Sequence, residues 1–354
     1  MRWPWQRQSA SGRLVVSWSG QTLSYVQAKV QANGRYRVEK IGVERQTGDR
    51  MESFLSRVQS LGLHGGEVIA MLRPDQYQLL QIEAPAVAPE EMRSAARYLI
   101  REMLDTHVDD ITLDVMNVGD GQQKGASHLF VVTATNAQVR EVVELGQSLQ
   151  WPVSVVDIQE NAQRNLQSAV AAKDGHATQA SAALMVTSDR QALLTITANG
   201  ELFYSRRLDL PEGFLAMEWS AGEAVDLDVD KGFMPVNEYV PDYSGSMSYD
   251  YGSSQPAAGA VTGRERSQRF LIEVQRSLDL WDRTWSSLPL SGLRVYAGAR
   301  SLDLAVWLSQ EMGQVVMPMD FSTVLDGLEN ASADTLMTCL PLLGVLLRSE
   351  SAKN

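Results

Sequence analysis

The sequence predicts an α/β fold of two lobes built from one duplicated unit, with a smaller subdomain inserted in the first lobe. Three observations carry this reading. A three-strand meander opens the chain, a second of the same form opens its second half, and a segment with a different rhythm lies between them.

In the first meander, Leu14-Val15-Val16-Ser17-Trp18 and Thr22 to Val30 read as strands. Asn33-Gly34, the pair best suited to the positive φ angles of a type I′ turn, then returns the chain into Tyr36 to Val43. The pattern recurs as Ala183 to Thr187, Ala192 to Thr197, Asn199-Gly200 and Leu202 to Leu208. Between the meanders, Val68 to Leu72 and Gln76 to Ile82 read as strands. Pro89-Glu90-Glu91 opens a helix, with Pro where the missing N–H costs nothing and acids near the positive end of the dipole. Its Met92, Ala96, Leu99 and Met103 fall on one face. Strands at Ile111 to Val118 and Leu129 to Thr133, a helix from Asn136 to about Leu149 and a strand at Val153 to Val156 follow. The expected division is a first lobe over 13–182, holding an inserted α/β subdomain at about 67–157, and a second lobe over 183–348.

Within the second lobe, Glu218 to Gly263 holds eight acids against one lysine, a composition that predicts a solvated, flexible insertion at about 218–263. A helix from Ser267 to Leu288 is expected next, because Leu271, Val274, Leu278, Trp281, Trp285 and Leu288 recur at spacings of three and four. Leu293 to Tyr296 is a strand, Ala297-Gly298-Ala299-Arg300 a tight turn, Ser301 to Met312 a helix and Val315 to Met319 another strand. A helix over about Asp334 to Leu347 closes the pattern.

Composition narrows the functional classes. With 354 residues and 44% hydrophobic content the chain fills at least two cores, and its net charge of −12 argues against nucleic acid, which demands clustered Lys and Arg. The only cysteine, Cys339, sits in an apolar run, so no intrachain disulfide forms and a reducing compartment is expected. After Met1-Arg2-Trp3-Pro4-Trp5 the chain turns polar, so no export signal is expected, and no apolar run approaches the roughly 20 residues needed to span a bilayer. His64, His107, His128 and His176 are scattered, which predicts no metal site. Walker loops and Gly-x-Ser-x-Gly elbows are both missing from the sequence. Asp105, Asp109, Asp110 and Asp114 cluster around His107 and read as a solvated edge.

Specific passages carry a family resemblance. Met71-Leu72-Arg73-Pro74-Asp75-Gln76-Tyr77, Pro85-Ala86-Val87-Ala88-Pro89-Glu90-Glu91-Met92, Ala95-Ala96-Arg97-Tyr98 and Glu273-Val274-Gln275-Arg276-Ser277-Leu278-Asp279-Leu280-Trp281 resemble the PilM family of type IV pilus assembly proteins, most of all its MshI-type members from mannose-sensitive haemagglutinin (MSHA) pili. The resemblance implies the actin-like, ribonuclease H-like two-lobed fold with a PilM/FtsA-type subdomain. It also implies a cleft where ATP and magnesium meet three turns, at Ser17, Ser19 and Gly20, at Ser188 and Asp189, and at Gly298, Ala299 and Arg300.

Against that pattern, Ser17 stands where the family's first turn carries Asp and Ser19 where it carries Gly; Val186 and Ser188 replace Asp and Gly in the second, and Ala299 one glycine of the third. A hard cation needs charged oxygens that Ser and Val do not supply, so loss of hydrolysis is expected, with no catalytic residue. Two readings stay open. One is a scaffold without turnover, cytoplasmic and held at the inner membrane by partners, which would be the cytoplasmic tail of a PilN-like protein and the pilus motor ATPase. In it, a groove lined by Met92 to Met103 and the adjoining strands takes the tail. The other is an ATP-binding or ATP-hydrolysing switch.

Overall fold

The computed structural model describes residues 12–48, 50–119, 127–217, 219 and 263–348. The acidic stretch from Glu218 to Gly263 lies, apart from Trp219 and Gly263, outside the described residues, as do both tails. The first half runs β1 (Arg13–Trp18), β2 (Thr22–Val30), β3 (Tyr36–Arg45), α1 (Met51–Ser60), β4 (Glu67–Met71), β5 (Gln78–Glu83), α2 (Met92–Leu99), β6 (Ile111–Asn117), β7 (His128–Thr135), α3 (Asn136–Ser148), β8 (Val153–Asp157) and α4 (Gln159–Lys173). The second runs β9 (Ala180–Val186), β10 (Gln191–Ala198), β11 (Glu201–Asp209), α5 (Gly263–Thr284), β12 (Leu290–Tyr296), α6 (Ser301–Met312), β13 (Val316–Pro318), β14 (Leu325–Asp326) and α7 (Ala333–Leu346).

One sheet has the order β14-β3-β2-β1-β4-β8, the other β11-β10-β9-β12-β13. Leaving β14 aside, both are a three-strand antiparallel meander extended by two strands parallel to its first member. The same order written twice is the duplicated ribonuclease H-like arrangement that an actin-like fold requires. β4 and β8, which the sequence reading grouped with the insertion, pair into the first large sheet. Short apolar parallel strands look alike in sequence wherever they pair. The insertion's own sheet is β5-β7-β6, packed on Ala96 and Ile100.

The face of α2 also differs from the expected one. The α-helix ends at Leu99 and gives way to a 3-10 turn over Arg101–Met103, so the buried positions are Ala96 and Ile100, while Leu99 and Met103 stand about half exposed. Only one Asn-Gly pair makes the expected turn: Asn199 and Gly200 both have positive φ and close a two-residue loop. At the other, Gly34 alone has positive φ and Gly34 N–H donates to Gln31 O, a longer turn in which the Asn33 side chain accepts from Arg35 N–H.

The closing helices of the two halves, α4 and α7, lie between the sheets. Val15, Val26 and Ile69 of the first sheet, Ala183, Met185 and Tyr296 of the second, Ala162 and Leu166 of α4 and Leu340 and Leu343 of α7 form one buried cluster. A buried amide on α4 fixes its register on the second sheet: Gln163 Nε2 donates to Ala183 O at 3.1 Å, Leu193 O at 2.9 Å and Thr195 Oγ1 at 2.9 Å. One turn on, Thr195 Oγ1 donates to Gln167 Oε1 at 2.7 Å. Satisfied buried polar groups of this kind hold one arrangement against sliding.

Candidate functional site

The three turns singled out in the sequence follow the ends of β1, β9 and β12, and the structure arranges them around the first turn of α4 and one face of α7. Trp18 O accepts from Gln76 Nε2 at 2.9 Å, which ties the first turn to the loop after β4. In that loop the Tyr77 hydroxyl accepts from Gln159 N–H at the start of α4. Thr187 of the second turn lines a cavity with Gln159, Gln163, Leu340 and Pro341. Gly298 of the third packs on Met337, one helical turn before Leu340 and Pro341.

That cavity has about 10 Å³, room for one water molecule. Backbone donors of the turns are largely spent on closing them: Ser19 N–H on Thr22 O, Ser188 N–H on Gln191 O and Arg300 N–H on Ala297 O. Arg300 is spent as well. Its Nη1 donates to Leu215 O and Met217 O, each at 2.6 Å, its Nε to Asp303, and its guanidinium lies 4.0 Å from the Trp219 ring centroid. Beside the first turn, Trp18 Nε1 donates to Glu141 Oε1, and that carboxylate oxygen lies against Gly20, adding negative charge where a phosphate would approach. Ser188, Asp189 and Ala299 are exposed, Ser19, Gly20 and Gly298 half-buried. Ser17 is 3% exposed, and its hydroxyl has no hydrogen-bond partner among the described residues.

The strongest chemistry in the cleft comes from residues that motif reading did not select. Glu160, 1% exposed on α4, accepts from the Tyr77 hydroxyl and, at 2.7 Å, from Arg207 Nη2 on β11. Arg207 stacks over the Tyr77 ring and donates from Nη1 to Pro74 O. Burial pushes the Tyr77 phenol well above its ordinary value of 10.0; the Glu160 carboxylate adds to the rise and Arg207 opposes it. A carboxylate held between a phenol and a guanidinium is a fastener between lobes, since each oxygen accepts a hydrogen bond and its charge is met by Arg207. The nearby Asp157 is likewise engaged, by Arg348 at 2.7 Å, Asn161 and its neighbour's N–H. No spacing rule could flag this group, because its members come from four separated segments. Among the described residues, no three His, Cys, Asp or Glu side chains converge as a metal site. The side chains of this cleft therefore do not fit a magnesium nucleotide poised for hydrolysis.

A second concavity lies where the insertion meets the first lobe. Asp75, Gln76, Tyr77, Leu104, Asp105, Thr133 and Gln138 are among the residues lining a pocket of about 160 Å³. It is framed by the N-terminus of α3, where Thr135 and Gln138 form a reciprocal capping box. The end of α2 and the 3-10 turn that stops beside Leu104 carry the exposed apolar group Tyr98, Leu99 and Met103, with Tyr98 71% exposed. The insertion also touches the second lobe, through Val118 and Phe130 against Leu202 and through Gly119 N–H donating to Leu202 O.

No protein-family profile matches the chain, and no curated protein matches it. Among solved structures it is similar to the PilM-PilN type IV pilus biogenesis complex, at 15% identity and a TM-score of 0.61, over 95% of this chain and 99% of that one. It is also similar to a Bacteroides thetaiotaomicron protein with an actin-like ATPase fold and unknown function, at 10% identity and a TM-score of 0.45, over 94% and 97% of the two chains. A third likeness is to the cytoplasmic domain of EpsL, an inner-membrane component of the Vibrio cholerae type II secretion system, at 14% identity and a TM-score of 0.39, over 69% and 90%. At these identities the likeness establishes the fold, which is the actin-like one with mixed α/β sheets.

Proposed function

We propose that this chain is a docking scaffold of an MSHA-type pilus assembly platform, cytoplasmic and held at the inner membrane by its partners. It takes the cytoplasmic tail of a PilN-like membrane protein and links it to the pilus motor ATPase. One observation carries the reading: the pocket between the insertion and α3 sits beside an apolar group that stands exposed among the described residues, Tyr98, Leu99 and Met103. A solved complex of the same fold pairs PilM with PilN, which supports the choice of partner. Among the described residues no helix is long and apolar enough to cross a membrane. Fluorescence anisotropy with a labelled PilN-like tail peptide tests this. Tyr98→Ser with Met103→Ser should weaken binding about tenfold or more; unchanged affinity would remove this surface from the proposal.

In this reading the cleft turns close the lobes and turn over no nucleotide. A second reading, an ATP-binding switch, has one observation in its favour, the buried and unpartnered Ser17 hydroxyl behind the first turn. It would use Ser17, Ser19, Gly20, Ser188, Asp189, Gly298, Ala299 and Arg300 after the lobes part. Calorimetric titration with ATP and magnesium separates the two. Saturable micromolar binding favours the switch, and no heat at millimolar ATP leaves the scaffold.

A further inference from the structure

The outward face of α5 belongs to neither cleft nor pocket. Its inward face, Phe270, Leu271, Val274, Leu278 and Trp281, is buried on the second sheet. Opposite lie Arg269, Ile272, Arg276, Leu280 and Arg283, which at 3.6 residues per turn fall in one stripe about 80° wide. Ile272 is 42% and Leu280 52% exposed, and the Arg276 side chain is 69% exposed. From Arg269 to Arg283 the stripe holds no acid. Glu273 on one margin is engaged by Arg206 and Arg276, Asp279 lies at the other margin, and Asp282 falls well outside the stripe. Among the described residues, Arg269 and Arg283 have no ion-pair partner.

We infer that this face of α5 docks on a bilayer surface rich in anionic phospholipid. A net charge of −12 opposes approach to such a surface, so a local arginine stripe decides both whether the protein approaches and how it is turned. Arginine forks suit phosphodiester oxygens, and Ile272 and Leu280 are long enough to enter the headgroup boundary between them. The pattern suits lipid better than an acidic protein. Its two aliphatic side chains are two helical turns apart on a convex face with arginines on every side, which offers no clustered apolar anchor to a partner's pocket. A fluid array of headgroups accepts charges at any spacing. This inference stands apart from the tail-docking proposal and needs no partner.

The test is flotation of the full chain with vesicles of phosphatidylglycerol and phosphatidylcholine, against phosphatidylcholine alone. Binding to the anionic vesicles only is expected, falling with added salt. Replacing the three arginines together, Arg269→Gln, Arg276→Gln and Arg283→Gln, should lower partitioning about a hundredfold. A charge-matched control elsewhere on the surface, Arg93→Gln, Lys173→Gln and Arg190→Gln, should keep it. Equal loss in both triples, or none in the first, overturns the inference, as does equal binding to neutral vesicles. Retention on immobilised polyglutamate without flotation gives the stripe to an acidic protein and overturns the lipid assignment.

Discussion

Gly344 on α7 crosses Ala162 on α4 so closely that a Cβ on the glycine would lie 2.0 Å from the Ala162 carbonyl oxygen. Asn165 Nδ2 also donates to Gly344 O at the same crossing, at 3.2 Å. Backbone cannot yield as a flexible side chain does, so even one methyl must push the helices apart. Each helix packs on a sheet, and the separation passes directly to the lobes.

Gly344→Ala should therefore destabilise by about 2 to 3 kcal/mol, the upper range for overpacking. Urea unfolding measures it. A variant as stable as the parent would mean the helices cross more loosely than the structure has them.

Removing Arg207 leaves the Glu160 carboxylate buried beside Tyr77 with its countercharge gone. Arg207→Leu should cost about 3 to 5 kcal/mol, and the double variant Arg207→Leu with Glu160→Leu clearly less, since it removes the stranded charge. Equal costs for the single and double variants would mean that packing, not charge, holds this junction.

The contrast between α4 and α5 shows what the sequence could reveal. α5 has a clean apolar stripe and was legible, with Leu271, Val274, Leu278 and Trp281 buried as expected, although the helix ends at Thr284 and leaves Trp285 and Leu288 beyond it, partly buried. α4 was not, because its inward face mixes Ala162, Leu166 and Val170 with buried Gln159, Glu160, Gln163 and Gln167, and buried polar residues erase the hydrophobic period. The meanders were legible from strand runs and Asn-Gly turns. The junction of Tyr77, Glu160 and Arg207 was not, since it exists only once two lobes and an intervening loop have met. α1 was hidden too, as Phe54 and Val58 alone are buried on a helix whose N-cap side chain makes no cap bond.

Arg300 separates a structural turn from a phosphate turn. If it serves the loop before Trp219, Arg300→Ala should lower stability by about 2 kcal/mol through two lost charge-assisted bonds and the ring contact. Arg300→Lys, which cannot fork to both carbonyls, should recover only part of it. Thermal unfolding without nucleotide decides the matter: a full-stability Ala variant would free this arginine for a ligand.

Alkaline stability should depend on Cys339. Burial pushes its thiol from an ordinary 9.0 to about 12, and in the folded chain its Sγ donates to Gly42 O. Between those values the unfolded chain loses the thiol proton and the folded chain keeps it, so unfolding releases a proton. Stability is then fully present below pH 9 and falls as pH rises towards 12, by about 1.4 kcal/mol per unit. Tyr25, Tyr77 and Tyr296, all raised chiefly by burial, add losses of the same sign above pH 10. Cys339→Ala removes only the thiol's share, so its stability should fall more gently from pH 9 to 10 while the later tyrosine-driven loss remains. Urea unfolding in steps from neutral to alkaline pH reads both slopes. If parent and variant decline in parallel through that first unit, the thiol does not titrate on unfolding and its burial between α7 and β3 is not what limits alkaline stability.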